Sequence, residues 1–170
     1  MKLYSGKIPI LASEIVRALI DENLMETASP DEVELDVAAV FKEYSRQDRD
    51  YTEKAKDLCE KRSMPYSSFP RLKRQLADQS GFAVGDDALD YIMTQLIGSF
   101  LHSQFVEEVF GEDQDLKRAM RPIIKRHTEI EDDLDSEARS KIKNLAEGTR
   151  DWEIEYARAM EQVRRRRKLD

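Results

Sequence analysis

The sequence predicts an all-α protein: two tandem three-helix units, each ordered short–long–short, forming an elongated bundle with long helices. Three observations predict it. Only six Gly and five Pro occur in 170 residues, so turns are few and elements long. Hydrophobic residues make up 40 % and charged residues 37 %, a balance too apolar for a disordered chain and typical of amphipathic helices. Apolar residues also recur at intervals of three and four along most of the chain.

The first helix is expected from about Pro9 to Leu24, with proline in the first turn, where its missing N–H costs nothing. Ile8, Leu11, Ala12, Ile15, Val16, Leu19 and Ile20 form its apolar stripe. The second helix starts at Ser29-Pro30, with Glu32 three residues after Ser29, the pattern of a capping box. Val37, Phe41, Tyr44, Tyr51, Ala55 and Leu58 continue it to about Arg62, which makes about 33 residues or ~50 Å. After Met64-Pro65, a short third helix carries Phe69, Leu72 and Leu76 on one face. Gly81 and Gly85 bracket a turn, and Asp86 is the expected cap of a fourth helix bearing Leu89, Ile92, Met93, Leu96, Ile97 and Phe100. The uncharged window from Tyr91 to Phe105 reads as buried helix, and Val106, Val109 and Phe110 as an apolar turn. In the fifth helix, Leu116, Met120, Ile123, His127, Ile130 and Leu134 form a heptad seam. Pro122 within it predicts a kink or break. Gly148 ends that segment, and Thr149 caps a sixth helix with Trp152, Tyr156, Met160 and Val163 on one face.

The two halves align. At an offset of 77, Ile15, Val16, Leu19 and Ile20 meet Ile92, Met93, Leu96 and Ile97. At an offset of 83, Val33, Val37 and Phe41 meet Leu116, Met120 and Ile124, and Phe69 meets Trp152. An internal duplication with units 1–80 and 81–170 is therefore expected, each long helix flanked by two short ones and the units meeting around residues 77 to 90.

Three segments carry a resemblance. They are Lys2-Leu3-Tyr4-Ser5-Gly6-Lys7-Ile8-Pro9, Gly85-Asp86-Asp87-Ala88-Leu89-Asp90-Tyr91, and Glu147-Gly148-Thr149-Arg150-Asp151-Trp152-Glu153-Ile154-Glu155-Tyr156. With them the chain resembles an uncharacterised bacterial family, domain of unknown function 507, over essentially its whole length. The resemblance implies a bacterial cytoplasmic protein. It implies no activity, so no residue takes a role from it.

The residues themselves point away from catalysis. His102 and His127 are the only histidines; neither has a Glu three residues before it, and no His-Glu-x-x-His motif exists. His127, on the seam, reads as a packed and hydrogen-bonded histidine, and His102 as a partner of a helix dipole. The single Cys59 excludes an intrachain disulfide and fits a reducing compartment. Gly81-Phe82-Ala83-Val84-Gly85 lacks the lysine of a phosphate loop. The acidic run Glu129, Glu131, Asp132, Asp133, Asp135 and Glu137 reads as a solvated helix face. No catalytic, cofactor or metal residue is expected. The N-terminus lacks the apolar run of a signal peptide and no stretch is apolar enough to cross a bilayer, so a cytoplasmic location away from membranes is expected.

Cations remain. The net charge of −7 gives no global attraction to nucleic acid, so such binding needs a local patch. Lys117, Arg121 and Lys125 recur every four residues as a basic stripe, with Arg118 and Arg126 beside it. Arg71, Lys73 and Arg74 form a smaller cluster, and Arg164, Arg165, Arg166, Arg167 and Lys168 close the chain. The terminal run and the stripe are candidate contacts for an anionic partner, although a cationic helix end also suits the helix dipole. The leading expectation is a non-enzymatic interaction or scaffold protein that binds an unknown protein or itself. A nucleic-acid-associated protein using the basic clusters is the alternative.

Overall fold

The structure, a computed structural model, describes residues 3, 5–145, 147 and 149–167. Lys2, Tyr4, Gly148 and Lys168, which carry part of the sequence reading, lie outside the described residues. The protein is all-α, 79 % helical. Its helices are α1 (Ile8–Asp21), α2 (Pro30–Lys61), α3 (Phe69–Gln79), α4 (Ala88–His102), α5 (Asp113–Lys141) and α6 (Arg150–Arg167). Two-residue strands β1 (Met25–Glu26) and β2 (Glu108–Val109) pair antiparallel, Met25 opposite Val109 and Glu26 opposite Glu108. The apolar pattern at Val106, Val109 and Phe110 predicts only a turn here, with no strand. Each strand occupies the short connection before a long helix, where backbone groups need partners outside a helix.

Local chemistry sets most boundaries. Pro9, Pro30 and Pro70 sit in the first turns of α1, α2 and α3. Single 3-10 turns at Ser5–Lys7, Tyr66–Ser68 and Gly85–Asp87 lead into α1, α3 and α4. The expected capping box at Ser29 does not form: no side-chain cap is made, and the Ser29 N–H is donated to Thr27 Oγ1 at 3.0 Å. Its carbonyl still accepts from Glu32 and Val33, and Asp31 and Glu32 place negative charge at the helix start. Asp86 likewise does not cap α4; it lies inside the preceding 3-10 turn. Thr149 does cap α6, its Oγ1 accepting from the Trp152 N–H at 3.3 Å.

Three helices end in the same way. The N–H groups of Leu24, Met64 and Phe82 reach back to the carbonyls of Leu19, Cys59 and Ala77. The residues just before them, Asn23, Ser63 and Gly81, take φ values of 55°, 49° and 69°. This six-to-one closure satisfies carbonyls that a helix end would otherwise leave unpaired. It also stops α1 three residues short of the expected Leu24.

Contacts group Leu3–His127 into one unit and the chain from Thr128 onward into another. In the first unit α1 and α3 both pack along α2, and α4 packs on α2 as well. One core joins Leu11, Ile15, Phe41, Leu96 and Phe100 with Met120 and Ile124 from the first half of α5. In the second unit Leu134 and Ala138 of α5 meet Ala159 and Val163 of α6.

α5 runs unbroken from Asp113 to Lys141 with Pro122 inside it, so of the expected kink or break the break does not occur. Its seam differs from the heptad reading. Ile124 is fully buried where Ile123 was expected, and Glu131 is buried while Ile130 is 39 % exposed. Ile123 and Ile124 lie about 100° apart around the helix axis, and the core of α1, α2 and α4 residues covers the side that carries Met120 and Ile124. α5 also changes packing partners near His127, which releases the second half from the first half's phase.

Candidate functional site

The described terminal cations, Arg164 to Arg167, are folded onto carboxylates of their own unit. Arg164 donates to both oxygens of Glu131, and Arg166 and Arg167 both reach Glu137. Arg165 pairs with Glu161 one turn back at 2.6 Å. Partial desolvation raises the Glu137 carboxyl's pKa, but the guanidinium groups of Arg167 and Arg166 outweigh it and hold the group below the ordinary value. Next to these pairs, Tyr156 Oη donates to Asp135 at 2.5 Å, and the Arg139 guanidinium lies over the Trp152 and Tyr156 rings. Burial, then the Asp135 carboxylate, raises the Tyr156 pKa, so this hydroxyl remains a donor at neutral pH. The acidic run of α5 is therefore not simply a solvated face. Glu131 is only 6 % exposed, and Glu131, Asp135 and Glu137 are where α6 docks.

The basic stripe of α5 has acids within reach as well. Lys117 and Arg121 share Asp90 at 3.0 and 3.5 Å, and Arg118 pairs with Asp115. Arg126 and His127 both donate to Glu14, at 2.5 and 2.9 Å. Burial pushes the Glu14 pKa up, but the hydrogen bonds from His127 and Arg126 bring it below its ordinary value. Lys117, Arg121 and Lys125 do line one depression of about 430 Å³ with Gln114, Arg118 and Pro122. On α3, Lys73 reaches Asp48 and Arg74 reaches Asp87. The structure thus brings the stripe residues together while pairing several with carboxylates.

The histidines and the cysteine sit in structural surroundings. His127 is half-buried against Glu14, as a packed, hydrogen-bonded histidine should be. His102 ends α4 and donates from Nδ1 to the Gly98 carbonyl at 2.7 Å. Cys59 is buried in α2. Among the described residues no group of three or more His, Cys, Asp or Glu could hold a metal ion, and no helix is long and apolar enough to cross a membrane.

A groove between α2 and α4 is an open feature that the sequence does not announce. It encloses about 460 Å³. Asp36 of α2 meets Ser103 just past α4, while Tyr44 lies near Tyr91 at the other end, so the two helices run antiparallel. The floor is Val40, Tyr44, Phe82 and Ile92. Phe82 is stacked between Tyr44 and Tyr51, with ring centroids 4.9 and 5.1 Å away, and meets Tyr91 edge-on at 5.4 Å. This aromatic cluster fixes the floor. The walls are small or polar: Asp36, Ala39, Glu43 and Gln47 from α2, and Thr94, Gln95, Gly98 and Ser99 from α4. The window Tyr91 to Phe105 is therefore not wholly buried: α4 stops at His102, and Thr94, Gln95, Leu101 and His102 are exposed.

Three features set the groove's chemistry. Gly98 sits in the interior of α4, and a Cβ built on it would meet nothing within 4 Å. Leu35 and Leu101 are 64 % and 65 % exposed. They lie one helical turn from Ala39 and Gly98, so they extend the same two ridges. The charged lining is acidic. Asp36 Oδ2 accepts from the neutral Ser103 hydroxyl at 2.5 Å, while Glu43 shares the single Arg46 guanidinium with Asp50. Hydrogen bonds from Arg46 and then Gln47 lower the Glu43 pKa to about 2, so it stays charged at neutral pH. Burial raises the Tyr44 and Tyr91 pKa values, so both hydroxyls stay protonated.

Comparison with curated proteins found no match. The family model "Protein of unknown function (DUF507)" matches residues 1–169, the whole chain but its last residue. The resemblance carried by the three sequence segments is thereby established, and the chain belongs to the DUF507 family.

Proposed function

We propose that this chain is a non-enzymatic protein-interaction protein and that the α2–α4 groove is its contact surface. Gly98 carries the reading. Glycine inside a helix costs about 1 kcal/mol relative to alanine. No described side chain crowds the position, so packing within the chain gives no reason for glycine there. A backbone laid bare at the wall of an apolar groove suits close approach by an outside partner. Ala39 and Ser99 lower the walls on either side, and Leu35 and Leu101 offer apolar surface at one end. The described lining consists of aromatic, aliphatic, hydroxyl, amide and carboxylate groups, with no His, Cys or Lys, which favours binding over nucleophile–base chemistry.

The test is a photo-crosslinking residue at Gln95 of the full chain in its native cell. A discrete crosslinked polypeptide is expected, and it should disappear when Gly98→Leu fills the groove. Crosslinks that are absent, or that persist in the filled variant, would remove the reading. The nucleic-acid alternative through Arg164, Arg165, Arg166, Arg167, Lys117 and Arg121 gains less support, because each of these cations already faces a carboxylate.

We also propose that the chain arose by internal duplication. Long helices α2 and α5 begin at Pro30 and Asp113, 83 residues apart. At that offset Met25 corresponds to Glu108 and Glu26 to Val109. Each strand residue therefore pairs with the counterpart of its neighbour, the pattern of a local two-fold axis. For α1 and α4 an offset of 81 superposes buried Leu11, Ala12, Ile15, Val16 and Leu19 on buried Ile92, Met93, Leu96, Ile97 and Phe100. The offset of 77 differs by one helical turn, a shift that leaves an apolar stripe in phase.

A further inference from the structure

We propose that the groove's occupant is a basic amphipathic helix of a partner protein, an inference that rests on the groove being a contact surface. Two observations select it. The first is dimension. Asp36 to Gln47 spans about 16 Å of α2 and Tyr91 to Ser99 about 12 Å of α4, at 1.5 Å per residue. Anchors at i and i+7 of a docked helix lie about 10 Å apart, so two apolar anchors and one between them fit the floor of Val40, Tyr44, Phe82 and Ile92. Ala39, Gly98 and Ser99 let such a helix come close to the backbone.

The second is charge. The charged lining residues are Asp36 and Glu43, and no Lys or Arg lines the groove among the described residues. The described partner of Asp36 is a neutral hydroxyl, and Glu43 and Asp50 share one guanidinium, so both places retain net negative charge. Exposed Glu32 stands one turn before Asp36 and extends the acidic edge toward Leu35. A helix with Leu, Ile or Met along one stripe and Lys or Arg beside it would meet apolar floor and acidic wall together. An acidic helix would meet like charge at the same wall, which is how such an interface rejects wrong partners.

The test uses the full chain and two synthetic helical peptides of about 14 residues with the same leucine stripe, one flanked by lysines and one by glutamates. Binding is followed by fluorescence anisotropy at low and moderate salt. The lysine peptide is expected to bind about tenfold more tightly at low salt, with the advantage shrinking as salt rises. Gly98→Leu should abolish binding of both peptides while leaving the circular dichroism unchanged. Asp36→Asn with Glu43→Gln should bring the two affinities together. If both peptides bind equally and Gly98→Leu abolishes both, the groove reading stands and the basic partner is overturned. If Gly98→Leu binds like the parent chain, the groove reading itself falls. Concentration-dependent self-association that Gly98→Leu disperses would make a second copy the occupant and overturn the proposal. So would a failure of both peptides to bind.

Discussion

Arg164 and Glu131 form a two-pronged ion pair: Nη2 donates to Oε2 at 2.5 Å and Nη1 to Oε1 at 3.3 Å, with side chains only 11 % and 7 % exposed. The pair joins α6 to α5 beside the small core of Leu134, Ala138, Ala159 and Val163. Forming it withdraws two charges from water, so its net contribution is modest, but breaking one side strands the other.

Arg164→Gln should therefore cost the second unit about 3–5 kcal/mol, while the double change Arg164→Met with Glu131→Leu should recover most of that loss. Arg165→Gln, whose partner Glu161 is exposed, should stay within about 0.5 kcal/mol of the parent. Hydrogen exchange of the α6 amides, with a chemical denaturation curve, measures all three. Equal effects at positions 164 and 165 would show that burial of the pair does not matter.

Acid should loosen the neighbouring α5–α6 contact at Glu137. The Glu137 carboxyl is held below its ordinary value of 4.5, so its ion pairs with Arg166 and Arg167 favour the folded state above that pH. The contribution is lost as pH falls below 4.5 through the lowered folded value. Glu14 in the first unit carries the same sign. A pH titration followed by α6 amide exchange should show protection falling below about pH 4.5 and flat between pH 6 and 8. Protection that increases on acidification would reverse the assigned sign.

Position 124, rather than 123, should dominate the packing of α5. Ile124 is fully buried and Ile123 only partly. Ile124→Ala should cost about 2–5 kcal/mol and Ile123→Ala clearly less. Phe41→Ala, at 0 % exposure, should cost about 3–5 kcal/mol. The order of the denaturation midpoints checks the seam; a larger loss at position 123 would restore the heptad phase.

Gly98→Ala should stabilise the chain by about 0.5–1 kcal/mol, because the new methyl meets open space and the helix gains a better former. A destabilising result in a thermal melt would mean that the groove wall is closed in solution.

Ser63 closes α2 with φ at 49°, in the region where glycine pays no steric penalty. Ser63→Gly should raise stability by about 0.5–1 kcal/mol. The matching change Asn23→Gly should gain less, since asparagine tolerates that conformation. Paired urea midpoints decide the order.

The sequence by itself determined the helices. Ser29-Pro30 placed the start of α2, the apolar stripes of α1 and α4 matched their buried faces, and Thr149 capped α6 as expected. These follow from interactions within one turn of backbone, where residue type and spacing suffice. Tertiary structure decided the rest. The β1–β2 pairing joins residues more than eighty positions apart, so no local pattern announces it. Which face of α5 is buried was set by what covers it, the first unit's core over Met120 and Ile124 and α6 over Leu134 and Ala138. The acidic run and the terminal arginines each read as solvated or partner-seeking when taken separately; their docking on one another needed the return of α6. The groove was invisible for the same reason. Gly98, Ala39 and Asp36 are unremarkable on single helices and become a surface only where α2 and α4 run side by side, because shape between helices is set by packing, which periodicity does not encode.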